Sequence, residues 1–212
     1  MIFNIKKEAL TIYSYSYHNF QIIYFIGGNM SRFHNLYIHS YRLDENRDTE
    51  FFSCIKDYYF TDEVQSLDGY IQHGSVTLLQ HVKSVSYISF RLAKRFGLDY
   101  EKTAKGAILH DLVYYDWHVP DKSHMLHGYR HPGFALKNAT ALSSKLNKNL
   151  SPLEKNIIYR HMFPLTVIPP KYKEAILVSL VDKCVATKEM IISSTKKRSK
   201  KFFDEVKSGG NK

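Results

Sequence analysis

Four polar residues stand at positions where the surrounding sequence predicts buried helix. His81 adjoins an apolar stripe, and the doublet His110-Asp111 ends the apolar run 107–109. Asp182 follows the run Ala-Ile-Leu-Val-Ser-Leu-Val. An unpaired carboxylate in such a helix costs several kcal/mol or takes up a proton, so a cation is expected to face Asp182. A divalent ion shared by two imidazoles and two carboxylates would meet the needs of all four residues.

Each residue taken alone also has a structural explanation. A single helix histidine is more often a hydrogen-bonded core residue, and a single buried aspartate is more often a helix cap or part of a salt bridge. Lys183 is a poor counter-ion for Asp182 because adjacent helix residues point about 100° apart. The ordered set on three helices, together with the eight of eleven histidines that fall between His73 and His161, favours a metal site.

Helices with recognisable ends would have to position these residues. Apolar spacing predicts a helix from Val76 to Phe96 that stops at Gly97, and Asp99 can cap a second helix that runs to His110. Further helices are predicted from Pro132 to about Leu146, from the capping box Ser151-Pro152-Leu153-Glu154 to near His161, and from about Lys171 into the tail. No long stretch alternates with period two, so the predicted fold class is all-α.

The order of these residues resembles the HD superfamily of metal-dependent phosphohydrolases. The similarity lies in Gln80-His81-Val82, Ile108-Leu109-His110-Asp111 and Leu180-Val181-Asp182-Lys183. Two segments, His131-Pro132-Gly133 and Tyr159-Arg160-His161-Met162, look like the longer binuclear members. The overall pattern is most similar to small bacterial HD hydrolases and the dinucleoside-polyphosphate hydrolase branch. Some binuclear members carry a glutamate one turn before the first histidine, where this chain has Thr77.

The resemblance implies an HD-domain helical bundle with one or two divalent metal ions. The implied ligands are His81, His110, Asp111, His131, His161 and Asp182. Nitrogen and oxygen ligands without sulfur favour Mn, Fe, Co, Ni or Zn. Such an ion would lower the pKa of a bound water and act as a Lewis acid on phosphorus.

The expected reaction is hydrolysis of a phosphomonoester or phosphoanhydride, with a nucleotide as the small phosphorylated substrate. Asp111 would serve catalysis as well as metal binding, and His127 could protonate the leaving group. Lys183 could reach a substrate phosphate or project to solvent. The aromatic loop between residues 112 and 130 suits stacking on a nucleobase, or else forms a hydrophobic lid.

Two other functions use the same residues. A di-iron HD-type oxygenase would need the same six ligands. A non-enzymatic protein could bind a metal or nucleotide in the HD shell and recruit RNA or a membrane surface through its basic tail.

Positive charge is unevenly distributed along the chain. The formal net charge is +10, and half of it falls after residue 187, densest in Lys196-Lys197-Arg198-Ser199-Lys200-Lys201. This run is typical of a solvated helix end, with a weak nucleic-acid or anionic-surface contact as the alternative.

The two cysteines form no CxxC pair, which suits a reducing cytoplasm. No apolar run is long enough for a membrane span. We expect an N-terminal extension over residues 1–30, a helical domain over 31–192 and a basic tail over 193–212.

Overall fold

Helices make up most of the chain that the structure, a computed structural model, describes, namely residues 30–115 and 126–208. In chain order the α-helices are α1 (Met30–Ser40), α2 (Thr49–Tyr59), α3 (Asp62–Gln65), α4 (Leu78–Arg95), α5 (Tyr100–Ile108), α6 (His127–Lys145), α7 (Pro152–Arg160), α8 (Lys173–Ser193) and α9 (Lys196–Ser208). A 3-10 turn (Ser66–Gly69) and an antiparallel hairpin of β1 (Ile71–His73) and β2 (Val76–Thr77) precede α4. The predicted all-α class is confirmed.

Helix α4 lies at the centre and packs against α1, α5 and α8. Thr77 caps its N-terminus by accepting a hydrogen bond from the Gln80 backbone N–H. Gly97 follows its C-terminus with φ +66°, a left-handed conformation that favours glycine, as the predicted stop requires. The predicted start at Val76 is wrong by two residues, because Val76 and Thr77 pair with β1 instead.

Helix α5 brings the doublet to the core. Asp99 caps it by accepting from the Lys102 N–H, as predicted, but the helix ends at Ile108 rather than at His110. Gly106 allows α5 to approach α7 closely, since a Cβ there would lie 2.8 Å from a methyl group of Ile157. The two helices that end just before His110 and His161 are therefore neighbours.

The start predicted for the next helix was wrong. Helix α6 begins at His127, so Pro132 lies inside it and the preceding loop ends at Leu126 rather than near Arg130. The prediction assumed that proline occupies the first turn, where its missing N–H leaves no helix carbonyl unpaired. Here Pro132 sits one turn deeper. The capping box of α7 is confirmed: Ser151 and Glu154 satisfy each other's backbone N–H.

The predicted last helix is two helices. Helix α8 ends at Ser193, and α9 starts three residues later. Thr195 supplies the break, since its hydroxyl accepts from the Arg198 N–H and its carbonyl accepts from the Ser199 N–H. Phe202 of α9 belongs to the same hydrophobic core as the other helices.

Among the described residues, no helix is both long and apolar enough to cross a membrane. The expected extension lies outside the described residues except for Met30, the first residue of α1. The expected domain boundaries stay predictions.

Candidate metal centre

Six predicted ligands from five segments of the chain meet in the interior. They are His81 on α4, His110 and Asp111 just after α5, His131 on α6, His161 just after α7 and Asp182 on α8. None is more than 7% exposed. A cluster of imidazoles and carboxylates at this depth is costly without a counter-charge or shared protons.

The doublet owes its geometry to the end of α5. Within a continuous helix two adjacent side chains diverge by about 100°. His110 and Asp111 instead lie in the turn beyond Ile108, and both side chains enter the same pocket. The His110 ring is fixed by a 2.7 Å hydrogen bond from Nδ1 to the carbonyl oxygen of Ala107.

One side of the cluster collects His81, His110 and Asp182. Oδ1 of Asp182 lies 3.2 Å from Nε2 of His81 and 3.7 Å from Nε2 of His110. Oδ2 of Asp111 lies 3.5 Å from Nε2 of His110 and 3.9 Å from Nε2 of His81. Two imidazole nitrogens and two carboxylate oxygens thus face one another.

The other oxygen of Asp111 faces a second side. Oδ1 lies 3.1 Å from Nε2 of His131 and 3.3 Å from Nε2 of His161. Asp111 therefore stands between the two halves of the cluster and presents one oxygen to each.

The histidine rings show which nitrogen is free to bind a metal. Nδ1 of His131 lies 2.9 Å from the carbonyl oxygen of His127, and Nδ1 of His161 lies 2.8 Å from that of Ile158. A carbonyl can only accept, so each Nδ1 carries the hydrogen and each neutral ring turns an Nε2 lone pair inward. The Nε2 atoms of His131 and His161 are 2.7 Å apart. Two lone pairs at that distance repel unless a proton or a metal ion neutralises them.

Sequence reasoning missed a seventh residue, Glu189. Its side chain is fully buried on α8, and Oε2 accepts a 2.9 Å hydrogen bond from Nδ1 of His81. A carboxylate behind a ligand histidine fixes the ring and makes its free nitrogen more basic. Glu189 lies seven residues after Asp182, two helical turns on, so the same-face spacing was a signal available in the sequence.

Burial and neighbouring charges shift the pKa values of several residues in the cluster. Burial alone would lower the pKa of His81, but Glu189 and Asp182 outweigh it and raise that pKa well above its usual value. Burial opposes charge on His110 too, yet Asp111 and Asp182 raise its pKa. Burial likewise opposes ionisation of both aspartates, but His110 and the other imidazoles hold the pKa of Asp111 and Asp182 below the usual range. Burial lowers the pKa of His161.

The residues present fit a metal ion. Among the described residues, Nε2 of His110 and Oδ1 of Asp111 are buried without a hydrogen-bond partner, and both point into the cluster. Two groups, His81-His110-Asp182 and His110-Asp111-His161, each bring three ligand atoms within 4.8 Å of one another. Buried histidine and aspartate groups of this kind can hold a divalent metal with nitrogen and oxygen ligands.

Comparison with known protein families adds one finding. Residues 78–187 match the HD domain, and this stretch begins with α4 and ends on α8, so it contains all six clustered ligands. The chain belongs to the HD domain family. HD-domain proteins are typically metal-dependent hydrolases. No curated protein and no solved structure matches the chain.

His127, the predicted proton donor, lies at the start of α6, beside the cluster of six predicted ligands. Its ring stacks on that of His131, with centroids 4.5 Å apart and an interplanar angle of 15°. Tyr115 Oη lies 3.0 Å from its Nδ1. Gln72, from β1, donates a 3.4 Å hydrogen bond to Oδ2 of Asp111 and so also lies beside the cluster. Most of the predicted aromatic loop lies outside the described residues.

Lys183 contacts the backbone of one predicted ligand, His161. Its ammonium donates to the carbonyl oxygen of His161 at 2.7 Å and to the carbonyl and hydroxyl oxygens of Ser179 at 3.1 and 3.0 Å. The Ser179 hydroxyl lies 2.6 Å from the same His161 carbonyl. Burial lowers the pKa of Lys183. These contacts favour a positioning role for Lys183, in place of the predicted contact with substrate phosphate or solvent.

Replacing Lys183 by methionine should weaken metal binding. Without the ammonium, the carbonyl of His161 loses its charged partner and the ring is less firmly held toward Asp111. We expect a 10- to 100-fold loss of metal affinity, as for other groups that support a metal ligand. Titration calorimetry with Mn²⁺ measures this, and Lys155→Met, at an exposed position on α7, is the control. Equal affinities in the two variants would contradict the positioning role.

Proposed function

We propose that this protein is a metal-dependent phosphohydrolase that uses a divalent ion, or a pair of ions, to hydrolyse a phosphomonoester or phosphoanhydride. The observation that carries the proposal is the placement of Asp111 between two sets of imidazoles inside an HD domain. One set with Asp182 suits one ion, and the pair His131 and His161 suits a second.

A divalent ion held by these residues would supply Lewis acidity and would lower the pKa of a water molecule. The protein residues orient and tune this centre. Asp111 bridges its halves, Glu189 holds the ring of His81, and the carbonyls of Ala107 and Ile158 hold His110 and His161. Burial of all these groups keeps bulk water away, so charges in the site act in a low-dielectric medium.

His127 is the proposed proton donor to the leaving oxygen. Its place beside His131 puts an imidazole at the edge of the buried cluster. Tyr115 holds the ring through Nδ1. An imidazole in this place can donate a proton to the leaving oxygen. Without it, that proton would have to come from water.

The proposed substrate is a nucleotide, a class that includes the dinucleoside polyphosphates. The support comes from the tyrosines at the start of the loop that follows the doublet: Tyr114 is 40% exposed, and Tyr115 reaches His127. An exposed aromatic ring near the centre offers a face on which a base can stack.

Metal removal and replacement test the proposed function. We expect chelator-treated protein to lose hydrolysis of nucleotide phosphates and of p-nitrophenyl phosphate, and to regain it with Mn²⁺, Fe²⁺, Co²⁺, Ni²⁺ or Zn²⁺. Metal analysis before and after treatment gives the number of ions per chain. Protein that holds metal yet releases no phosphate from any of these substrates would overturn the proposal. The same assay without oxygen separates hydrolysis from a di-iron oxygenase, which would need oxygen for turnover.

A further inference from the structure

The proposed metal site uses no residue of the basic C-terminal helix α9. Of the α9 side chains that the structure describes, the exposed ones include Lys197, Arg198, Lys200, Lys201 and Lys207. Asp204 is the exposed carboxylate among them. The helix therefore carries a strong positive charge on its solvent side.

Lys197, Lys200 and Lys201 differ in their ion pairing from Lys102, Lys145 and Lys148, which are exposed elsewhere on the surface. Lys102, Lys145 and Lys148 each lie within 2.6 Å of a carboxylate oxygen, from Asp99, Glu63 and Asp57 respectively. Across residues 30–115 and 126–208, Lys197, Lys200 and Lys201 form no such ion pair. Their charges remain available to an external anion.

The opposite face of α9 is already occupied. Phe202 packs on Tyr37 and Tyr41 of the α1 side, with ring centroids 5.5 and 5.0 Å apart. Glu205 lies at the rim of this contact, where Oε2 pairs with His34 at 3.2 Å and the backbone carbonyl accepts from Arg42. These contacts fix the helix on the protein and direct the lysines outward.

We propose that the α9 surface formed by Lys197, Lys200 and Lys201 binds the phosphate backbone of a nucleic acid. Along a helix these residues span about 6 Å, so they present a compact row of point charges to a polyanion. A membrane surface fits less well, because an interfacial helix needs a free apolar face and that of α9 is packed against α1. Eleven helical steps along α8, from Asp182 to Ser193, place about 16 Å of helix between the ligand cluster and the start of this surface. It is therefore distinct from the substrate site.

Salt-dependent binding of labelled single-stranded RNA and duplex DNA to the full chain tests this proposal. The test variant is Lys197→Gln/Lys200→Gln/Lys201→Gln, and the matched control is Lys102→Gln/Lys145→Gln/Lys148→Gln, which removes the same charge from paired lysines. The slope of log K against log salt is negative for such binding. We expect the test variant to make this slope less steep by about 2 for single strands and about 2.7 for duplex, while the control changes it by less than 1. Repeating the series with Asp111→Ala should give the same difference, because the metal centre is not involved.

Three results would overturn the proposal. One is an equal loss in the two triple variants, which would assign binding to net charge alone. Another is an unchanged slope in the test variant. The third is preferential binding to vesicles containing phosphatidylserine, with no binding of either nucleic acid. Unfolding curves for both triple variants establish that each remains folded.

Discussion

Asp111→Ala protein is expected to lose bound metal and to turn over substrate more than about a thousandfold more slowly, while it stays folded. Asp111 gives one oxygen to each half of the cluster, so its removal deprives both halves of a negative ligand. Charge stabilisation at the reacting centre is commonly the largest catalytic contribution, which sets the scale of the loss. Metal analysis, phosphate release and circular dichroism measure the three outcomes.

Asp182→Ala serves as the companion variant, because Asp182 faces only one half of the cluster. We expect it to lose metal from the half that contains His81 and His110 and also to lose turnover, because the proposed site then lacks one of its two carboxylates. If both variants kept full metal content, the ligand assignment would be wrong. If both lost metal but kept activity, the proposed function would be wrong and the site would remain.

Glu189→Leu protein should be less stable and should bind metal poorly. The substitution leaves Nδ1–H of His81 buried without an acceptor, and breaking a buried pair in this way costs about 3–5 kcal/mol. Glu189→Gln keeps an acceptor oxygen but removes the charge. We expect it to stay near wild-type stability while metal affinity falls 10- to 100-fold.

Denaturant unfolding of metal-free protein and metal titration distinguish these two effects. Glu174→Gln is the matched control on the same helix, because Glu174 contacts the backbone N–H of Asp99 rather than a ligand histidine. A Glu189→Gln variant with unchanged metal affinity would show that the carboxylate only fills space behind His81.

Two kinds of feature could be predicted from the sequence: charged residues within apolar helices, and helix caps. Asp182 was recognisable because a charged residue interrupts an apolar helix, and the doublet because it ends another. The caps at Asp99 and Ser151 were predictable from residue type alone, since each satisfies a backbone N–H within three residues.

Other features depend on contacts between distant segments. The residues near His81 in the sequence do not supply its carboxylate partner, because that partner is Glu189, 108 residues further along. Lys183 could be placed on a helix, but its orientation toward the His161 carbonyl depends on how α7 and α8 pack. Helix α6 also begins five residues before Pro132, although proline usually marks the first turn of a helix.

The spread of the ligands along the chain has a consequence for folding. His81 and Asp182 are 101 residues apart, yet their ligand atoms lie 3.2 Å from each other. An ion bound by both residues would act as a reversible cross-link that closes a very long loop, and the affinity of the native chain for that ion would add directly to the free energy of unfolding. At a free metal concentration a hundred times the dissociation constant, this linkage is worth about 2.7 kcal/mol. The thermal stability of this protein should therefore depend on the metal supply of its surroundings.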